Sequence, residues 1–403
     1  MKRTGRAVAL AAACGMLAAP MVSAHASTPQ VAAGARISAK APKNALKVMT
    51  ANLYLGASLS PVIKAIETNG DFYGSLRELY DTVQKTDFPL RAKAIAKRIK
   101  AENPDILTLN EVSNWAVIDS VPSAGLKSYD FLKIMKKELK AQGLDYKVGS
   151  QVLNAQLPPL PGVGLPYVDP AKGCPSPDNP LAATCSISFQ DRDVVMYNAK
   201  NKKLKPLKHK ASGNFTKQVT YTLAGLPISF NRGWTYRDFS FKGKPFTMMT
   251  SHLEVETGTA GTTGESNWPS PVQVAQGKQL VKVAKKAAKD TGGRVILAGD
   301  FNSDANRQYS PTYSQMTKWF SDTWKQDGKP FGKAVGATCC QTGDLNSDIE
   351  LDSGDPMVPT RIDLVLTRKA TGVWTKVITN KMQDTQPKWE SDHYFYAAAV
   401  KLK

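Results

Sequence analysis

The sequence predicts an α/β fold, because short apolar runs typical of strands alternate with amphipathic stretches typical of helices. Residues 46–53 alternate apolar and polar side chains, as a half-buried strand does. Residues 87–100 instead place Leu90, Ile95 and Ile99 at helical spacing among basic residues. A third observation is that the apolar runs end repeatedly at acidic, amide or imidazole side chains. We therefore expect an α/β fold with polar groups at its strand ends.

The other predicted elements continue this alternation. A helix begins at Ser60-Pro61, where proline suits the first helical position, and Asn103-Pro104 ends the helix at 87–100. Further strands are predicted at residues 105–112, 192–197, 246–253, 295–298 and 360–366, and a last strand ends at residue 400. Further helices are predicted at 129–142 and 273–289, and a basic turn with six lysines at 200–210. We expect these elements to form one domain over residues 45–403.

The N-terminus has the pattern of a cleaved secretory signal peptide over residues 1–26. Basic residues at 1–6 precede an apolar run at 7–22, and Ala24-His25-Ala26 forms an A-x-A site. The apolar run is too short to span a membrane. Residues 27–44 are rich in Ala, Ser, Pro and Lys without periodicity, which predicts a disordered leader. We therefore expect a secreted protein without a transmembrane segment, cleaved near Ala26.

The chain is strongly basic, with a formal net charge of +19 over 403 residues. Removal of residues 1–26 takes away Lys2, Arg3 and Arg6 and no acid, which lowers the charge to +16. A basic surface attracts polyanions over about 8–10 Å in physiological salt. The charge therefore favours nucleic acid or an anionic surface as a partner. A monomer is expected.

Four cysteines follow the predicted signal peptide: Cys174, Cys185, Cys339 and Cys340. An even number in an exported chain predicts disulfides, with three connectivities open. Cys174 and Cys185 could close a short loop, whereas a bond between the adjacent Cys339 and Cys340 would be strained, so cross-pairing is an alternative. Residues 153–188 are rich in Pro and Gly, which predicts a disulfide-tied surface insertion.

Polar side chains recur where the predicted strands end. They are Asn52, Glu111, His252, Asp300 with Asn302, and Asp392 with His393. The segment Gly299-Asp300-Phe301-Asn302 taken alone also fits an ordinary turn. However, strand ends of one sheet meet in a single crevice, so we expect these groups to form one site.

The motifs, in their order, resemble those of the endonuclease/exonuclease/phosphatase superfamily, which includes pancreatic-type deoxyribonucleases and bacterial neutral sphingomyelinases. The resemblance spans residues 48–400 and rests on six short motifs: Thr50-Ala51-Asn52, Leu109-Asn110-Glu111-Val112, Thr250-Ser251-His252-Leu253, Gly299-Asp300-Phe301-Asn302, Arg361-Ile362-Asp363 and Ser391-Asp392-His393. It implies a four-layer sandwich of two mixed β-sheets flanked by helices. It also implies metal-dependent hydrolysis of phosphoesters. The sequence departs from the family pattern at Asn110, where Gln is usual.

The resemblance implies a divalent-metal site. Hard oxygen ligands suit Mg²⁺, and Mn²⁺ and Ca²⁺ are alternatives. Glu111 is the first choice as ligand, and Asn52 and Asp392 would assist it.

The resemblance also assigns catalytic roles. His393 would act on the attacking water or on the phosphate, with Asp363 orienting its imidazole. Asp300 is the alternative general base. His252 would bind a phosphate oxygen or assist the leaving group, and Asn302 would orient the nucleophile. Arg192 and Asp193 are candidates for pairing with His252 or with the substrate phosphate, although a strand-edge salt bridge explains this pair equally well.

The leading functional prediction is a secreted metal-dependent phosphodiesterase, and the substrate is left open. Nucleic acid, DNA or RNA, is slightly favoured by the charge and the lysines at 200–210. A membrane phospholipid, as for a sphingomyelinase or phospholipase C, is the alternative, with residues 71–80 and 157–167 as candidate membrane-facing loops. A hypothesis of another class is a non-catalytic binding protein or toxin subunit on the same fold.

Overall fold

The computed structural model describes residues 40–119, 125–158, 164–174, 185–223, 226–256, 270–306, 310–332, 335–347, 359–382 and 385–403. The predicted signal peptide and the part of the predicted leader before residue 40 lie outside these ranges. Within them, no helix is both long enough and apolar enough to cross a bilayer.

Strands make up most of the regular structure in the described ranges. In chain order they are β1 Leu46–Asn52, β2 Ile106–Asn110, β3 Asn114–Asp119, β4 Tyr129–Asp130, β5 Tyr146–Leu157, β6 Leu165–Pro166, β7 Cys185–Asn198, β8 Leu204–Asn214, β9 Val219–Leu223, β10 Leu226–Phe230, β11 Gly233–Phe241, β12 Lys244–Ser251, β13 Val295–Asp300, β14 Ser321–Asp322, β15 Asp363–Arg368, β16 Ala370–Ile378 and β17 Phe395–Leu402. The helices are α1 Ser60–Thr68, α2 Phe72–Lys85, α3 Phe88–Glu102, α4 Phe131–Ala141, α5 Pro271–Ala287, α6 Thr312–Thr317 and α7 Thr323–Gln326.

These strands form two mixed sheets and a separate hairpin. The first sheet has the order β16-β17-β1-β2-β7-β3-β4, with β5 and β6 also paired to β7. The second has the order β14-β15-β13-β12-β11-β8, and β9 pairs only with β10 among the described strands. Each sheet contains one parallel pair, β1 with β2 and β12 with β13. The mixed topology confirms the predicted fold class.

Three apolar layers separate the helices and sheets. Val48 and Ile106 of the first sheet pack between the sheets against Met248 and Ile296 of the second. Helices α1–α4 cover the outer face of the first sheet, and α5 with α6 covers the outer face of the second. Each fully buried aliphatic side chain contributes roughly 1.5–3 kcal/mol relative to an exposed one. The order of layers is helix, sheet, sheet, helix, as the resemblance implies.

The helix starts follow local sequence signals. The Asp87 side chain accepts a hydrogen bond from the backbone N–H of Leu90 and caps α3, with Pro89 in its first turn. The Ser270 side chain caps α5 in the same way, and Pro271 begins that helix. Both caps satisfy amide groups that have no partner within the helix.

Three segments differ from the sequence predictions. The predicted insertion at 153–188 is shorter, because β5 continues to Leu157 and β7 begins at Cys185. The predicted basic turn becomes strand from Leu204 onward, because β8 pairs with β11 along the sheet edge. Residues 71–80 belong mainly to α2 and bury Tyr80, so they do not form an exposed loop. Pairing between distant strands, which local patterns do not reveal, explains the first two differences.

The cysteines pair with near neighbours along the chain. Cys174 bonds to Cys185, with Cα atoms 5.5 Å apart, and Cys339 bonds to Cys340. Cys174 is completely buried, and Cys185 starts β7, so the first bond fastens the segment that follows β6 to the first sheet.

Candidate active site where the two sheets meet

The predicted polar groups converge at one end of the sandwich. The register places Asn52 beside Asn110 in the first sheet and Asp300 opposite Asp363 in the second. His252 directly follows β12, beside these strand ends. Asn52, Asp300, Asp363, His252 and His393 are all at most 5% exposed. The strand ends therefore supply a common, nearly dry polar cluster.

Asp300 is the centre of this cluster. Its carboxylate accepts hydrogen bonds from the side-chain amide of Asn52 at 3.0 Å and the backbone N–H of Asn302 at 2.9 Å. Nε2 of His252 lies 3.5 Å from Asp300 Oδ2, and Nε2 of His393 lies 3.8 Å from it. Both histidines hold the pKa of Asp300 below its usual value, despite burial. Asp300 is therefore an ionised carboxylate at neutral pH.

His393 is held from its far side by Asp363. Its Nδ1 lies 2.7 Å from Asp363 Oδ2, which leaves Nε2 directed toward Asp300. Asp363, Asp392 and Asp300 raise the pKa of His393 well above its usual value, although burial opposes them. The pair is therefore an imidazolium flanked by carboxylates, in the orienting arrangement that the sequence predicts.

His252 has the opposite electrostatic character. Arg232 donates a hydrogen bond to His252 Nδ1 at 2.9 Å, and the amide of Asn302 lies 2.9 Å from Nε2. Burial and the charge of Arg232 lower the pKa of His252 to about 3, so its imidazole is neutral at physiological pH. The two histidines can therefore serve different steps of a reaction.

Glu111 and Asp392 form a second acidic pair beside Asp300. Burial, Asp392 and Asp191 raise the pKa of Glu111 to about 8, and burial raises that of Asp392. Both side chains line the same cavity. The backbone N–H of Leu55 donates to Glu111 at 2.7 Å and fixes its orientation.

Asn52 faces these carboxylates through its nitrogen. Its side-chain oxygen accepts a hydrogen bond from the backbone N–H of Tyr54 at 2.9 Å, while its NH₂ group donates to Asp300 and also to Glu111. In this arrangement the nitrogen of Asn52 faces the carboxylate of Asp300, and its oxygen faces the backbone N–H of Tyr54.

Asn110 joins three strands behind the site. Its NH₂ group donates to Asp193 on β7 at 2.8 Å, and its oxygen accepts from the backbone N–H of Asp300 at 3.0 Å. The shorter amide that replaces the family's usual Gln therefore still contacts the polar cluster.

Arg192 and Asp193 have structural partners. Arg192 forms a salt bridge to Asp130 at 2.6 Å, and Asp193 accepts from the backbone N–H of His252 at 3.1 Å. Arg192 therefore forms a salt bridge, which was the predicted alternative to phosphate binding. The cation beside His252 is Arg232, which the sequence analysis missed because it lies in an ordinary loop segment without a motif.

Backbone geometry also marks the site. Glu111 and Asn302 adopt left-handed conformations with φ of 55° and 47°, which are uncommon for residues other than glycine. Such conformations persist where surrounding contacts enforce them, often at functional sites.

Gly299 has a separate constraint, because a Cβ there would lie 2.3 Å from the backbone oxygen of Ser251. The Gly-Asp sequence therefore lets β13 approach β12 closely just before Asp300.

The donor set fits a divalent cation. In the described part of the chain, two clusters that contain carboxylates have potential ligand atoms that all lie within 4.8 Å of one another. One consists of Asp300, Asp363 and His393, and the other of Asp191, Asp193 and His252. Oδ1 of Asp191 is buried without a hydrogen-bond partner there. Burial raises the pKa of Glu111, Asp193 and Asp363, because their negative charges are poorly compensated. Oxygen ligands with excess negative charge are those that Mg²⁺ and Mn²⁺ prefer.

Comparison with known protein families supports the fold described above. The model of the Endonuclease/Exonuclease/phosphatase family matches residues 49–393. The chain belongs to this family. Its members hydrolyse phosphoester bonds, generally with a divalent metal.

Several solved structures resemble the chain. An endonuclease/exonuclease/phosphatase family protein from Bacteroides thetaiotaomicron shares 15% identity and a TM-score of 0.51, covering 90% of this chain and 97% of that one. A functionally unknown conserved protein from Enterococcus faecalis V583 shares 13% identity and a TM-score of 0.51, covering 89% and 100%. D. rerio TDP2 complexed with single strand DNA product shares 16% identity and a TM-score of 0.46, covering 88% and 98%. At these identities the two likenesses with a TM-score of 0.51 show the fold alone. No curated protein matches the sequence significantly.

Proposed function

We propose that this family member is a secreted, divalent-metal-dependent phosphodiesterase. The observation that carries the proposal is the buried contact of Asp300 with both histidines, beside the acidic pair of Glu111 and Asp392. Hydrolysis of a phosphodiester needs an oriented water, neutralisation of charge on phosphorus, and help for the leaving oxygen. The cluster offers groups for each requirement.

Glu111 and Asp392 are the proposed metal ligands, and Asn52 holds the carboxylates in place. A bound divalent cation would neutralise developing negative charge on the phosphate oxygens. Loss of the Glu111 carboxylate should therefore raise the metal concentration that activity requires.

For proton transfer, we assign the acceptor role to Asp300 and a phosphate-binding role to His393. Asp300 is ionised and can accept the proton of the attacking water, whereas His393 already carries a proton at neutral pH. Asp363 keeps the imidazolium oriented through Nδ1. Neutral His252 and the adjacent Arg232 bind a phosphate oxygen, and Asn302 orients the nucleophile through its contact with this pair.

Two substrate classes remain in competition within this proposal. The charge of +16 after removal of residues 1–26 favours nucleic acid. The cavity beside Glu111 and Asp392 favours a phospholipid-like ester. A paired assay of supercoiled DNA and sphingomyelin liposomes, with and without EDTA, separates the two classes. N-terminal sequencing of the exported protein should begin at Ser27 if the signal peptide is cleaved as proposed.

Hydrolysis of bis(p-nitrophenyl) phosphate tests the chemistry without choosing a substrate class. We expect turnover with Mg²⁺ or Mn²⁺, loss of turnover in EDTA, and near loss in His393→Ala. The matched control is His209→Ala, since His209 contacts Asp238 at 2.8 Å and Tyr236 at 3.2 Å and none of the site residues. Wild-type rates in His393→Ala would contradict the proposed mechanism. No turnover by any form would favour the non-catalytic binding protein.

A further inference from the structure

A cavity of about 340 Å³ opens directly from the acidic pair. Glu111, Asp392 and Arg232 line its polar end. The remainder combines apolar side chains, among them Leu55, Leu59, Ile63, Val219, Tyr221 and Phe230, with the polar side chains of Ser58, Ser60, Glu254 and Gln341. Small-molecule sites are commonly concave, mostly apolar and fitted with a few convergent polar groups. This cavity has that composition, and its polar end is the candidate active site.

The apolar walls come from two elements that lie outside the two sheets. Ile63 belongs to α1, and Leu59 is its N-cap residue. Val219 and Tyr221 lie on β9, and Phe230 ends β10, so the facing wall is the separate hairpin. The hairpin residues and Ile63 are at most 9% exposed and belong to the same apolar cluster. The two walls therefore belong to one apolar cluster that borders the cavity.

The position of the cavity restricts what can occupy it. A phosphodiester whose phosphate lies at the end lined by Glu111, Asp392 and Arg232 has two ester groups, and one of them can extend into the cavity. Leu55, Leu59 and Ile63 contribute aliphatic side chains to its walls. Burying a polar group against them would cost free energy, whereas burying a hydrocarbon is favourable by about 0.8 kcal/mol per CH₂.

We propose that this cavity binds the hydrocarbon chain carried by one of the two alcohols esterified to the scissile phosphate, so that the substrate is an amphipathic phosphodiester. The assignment rests on the proposed phosphodiesterase function and specifies its substrate class. The recess between α1 and the hairpin then determines specificity. The apolar walls are continuous with the acidic end of the cavity. A hydrocarbon chain attached to the phosphate would therefore occupy the cavity more favourably than a separate apolar ligand.

The test measures the hydrolysis of three soluble phosphodiesters by the full-length protein. They are glycerophosphocholine, its hexanoyl ester and the dinucleotide dTpdT, with products quantified by phosphorus NMR in Mn²⁺. We expect kcat/KM for the hexanoyl ester to exceed that for glycerophosphocholine by about tenfold or more, since hydrocarbon burial commonly gives discrimination of this size. In Leu59→Glu the ratio should fall to within about threefold, because a carboxylate would face the chain.

Val255→Glu gives an independent variant, since Val255 lines the same cavity after β12. The matched control is Leu132→Glu, because Leu132 is, like Leu59, a half-buried leucine, but it lies on α4 outside the cavity lining. Collapse of the ratio in both cavity variants, but not in the control, supports the proposal. An unchanged ratio in folded Leu59→Glu and Val255→Glu, or preferential cleavage of dTpdT, overturns it. If bis(p-nitrophenyl) phosphate is not cleaved either, the phosphodiesterase function itself fails.

Discussion

The side-chain amide of Asn52 donates a hydrogen bond to Asp300 across the two sheets, at 3.0 Å. Asn52 ends β1 of the first sheet, and Asp300 ends β13 of the second. Both side chains are buried, so the contact lies in a low-dielectric environment and resists competition from water. The geometry of the candidate site therefore depends on how the two sheets pack.

His393 and Asp363 should differ in how strongly their removal lowers turnover. We expect His393→Ala to lower kcat by roughly 10²–10³-fold, because it removes the proposed phosphate-binding cation. Asp363→Asn retains the shape but removes the charge that holds the imidazolium, so a smaller loss is expected, together with a lowered pKa of His393. Steady-state kinetics and NMR titration of His393 measure both effects. An unshifted pKa in Asp363→Asn would contradict the proposed pairing.

The pH dependence of kcat/KM distinguishes the two candidates for the general base. The pKa of His393 is raised well above 6.5, so the imidazolium persists at neutral pH. If His393 binds phosphate as a cation, kcat/KM falls as the pH rises through its pKa. If His393 were the base, kcat/KM would instead increase over the same range. A rising limb that disappears in His393→Ala would transfer the base role from Asp300 to His393.

Glu111 should couple stability to pH and to metal. The pKa of its carboxyl is raised from 4.5 to about 8 by folding. Between these values the folded state binds more protons than the unfolded state, so the free energy of unfolding falls as pH rises. We expect Tm of the protein in EDTA to fall less steeply with pH in Glu111→Gln than in wild type.

Mn²⁺ should raise Tm of wild type most at high pH, and Glu111→Ala should weaken this effect. An equal Mn²⁺ shift in Glu111→Ala would remove Glu111 from the ligand set.

Arg91 should be essential for the stability of the site loops. Its completely buried guanidinium donates to the backbone oxygens of Leu53 at 2.6 Å, Thr86 at 2.8 Å and Glu390 at 2.9 Å. Arg91→Met leaves these buried oxygens without their partner, so we expect the free energy of unfolding to fall by about 3 kcal/mol. Urea unfolding measures the loss. The control is Lys93→Met, which alters an exposed cation of the same helix, and an equal loss in both variants would refute a specific role.

The bond between Cys174 and Cys185 should stabilise the fold without contributing to chemistry. It closes a loop with a sequence separation of 11, for which a stabilisation of about 2–3 kcal/mol is expected. The double Ser variant should therefore lose that amount in urea unfolding while keeping kcat near wild type at low temperature. A large loss of kcat in the folded variant would show that the bond also positions the site.

The sequence allowed the strand ends to be predicted because their signals are local. An apolar run that stops at Asn52, Glu111 or Asp300 is visible without knowledge of its neighbours, and all three side chains lie at the site. The orientation of Asn52 could not be predicted, since it depends on the distant Asp300 and on the backbone of Tyr54. Order along the chain identified the groups, and tertiary contacts determined their orientations.

Arg232 and β8 illustrate the two kinds of information that local patterns lack. Arg232 is a single cation before a strand, and only its contact with His252 in the folded chain places it at the candidate site. β8 has exposed lysines on both faces, so it has no hydrophobic alternation, and it becomes a strand because β11 offers an unpaired edge. The apolar recess between α1 and the β9–β10 hairpin likewise joins segments that are far apart in the chain.

The place of β17 has a consequence for how activity arises during folding. This strand lies between β16 and β1, where Leu46 pairs with Val400, and it directly follows the loop that carries Asp392 and His393. Pairing between residues so distant in sequence is slow, because a long chain segment must be closed before the contacts form. A nascent chain that has placed Glu111 and Asp300 still lacks its imidazolium until this strand docks. We therefore expect the complete polar cluster to be among the last parts of the fold to form.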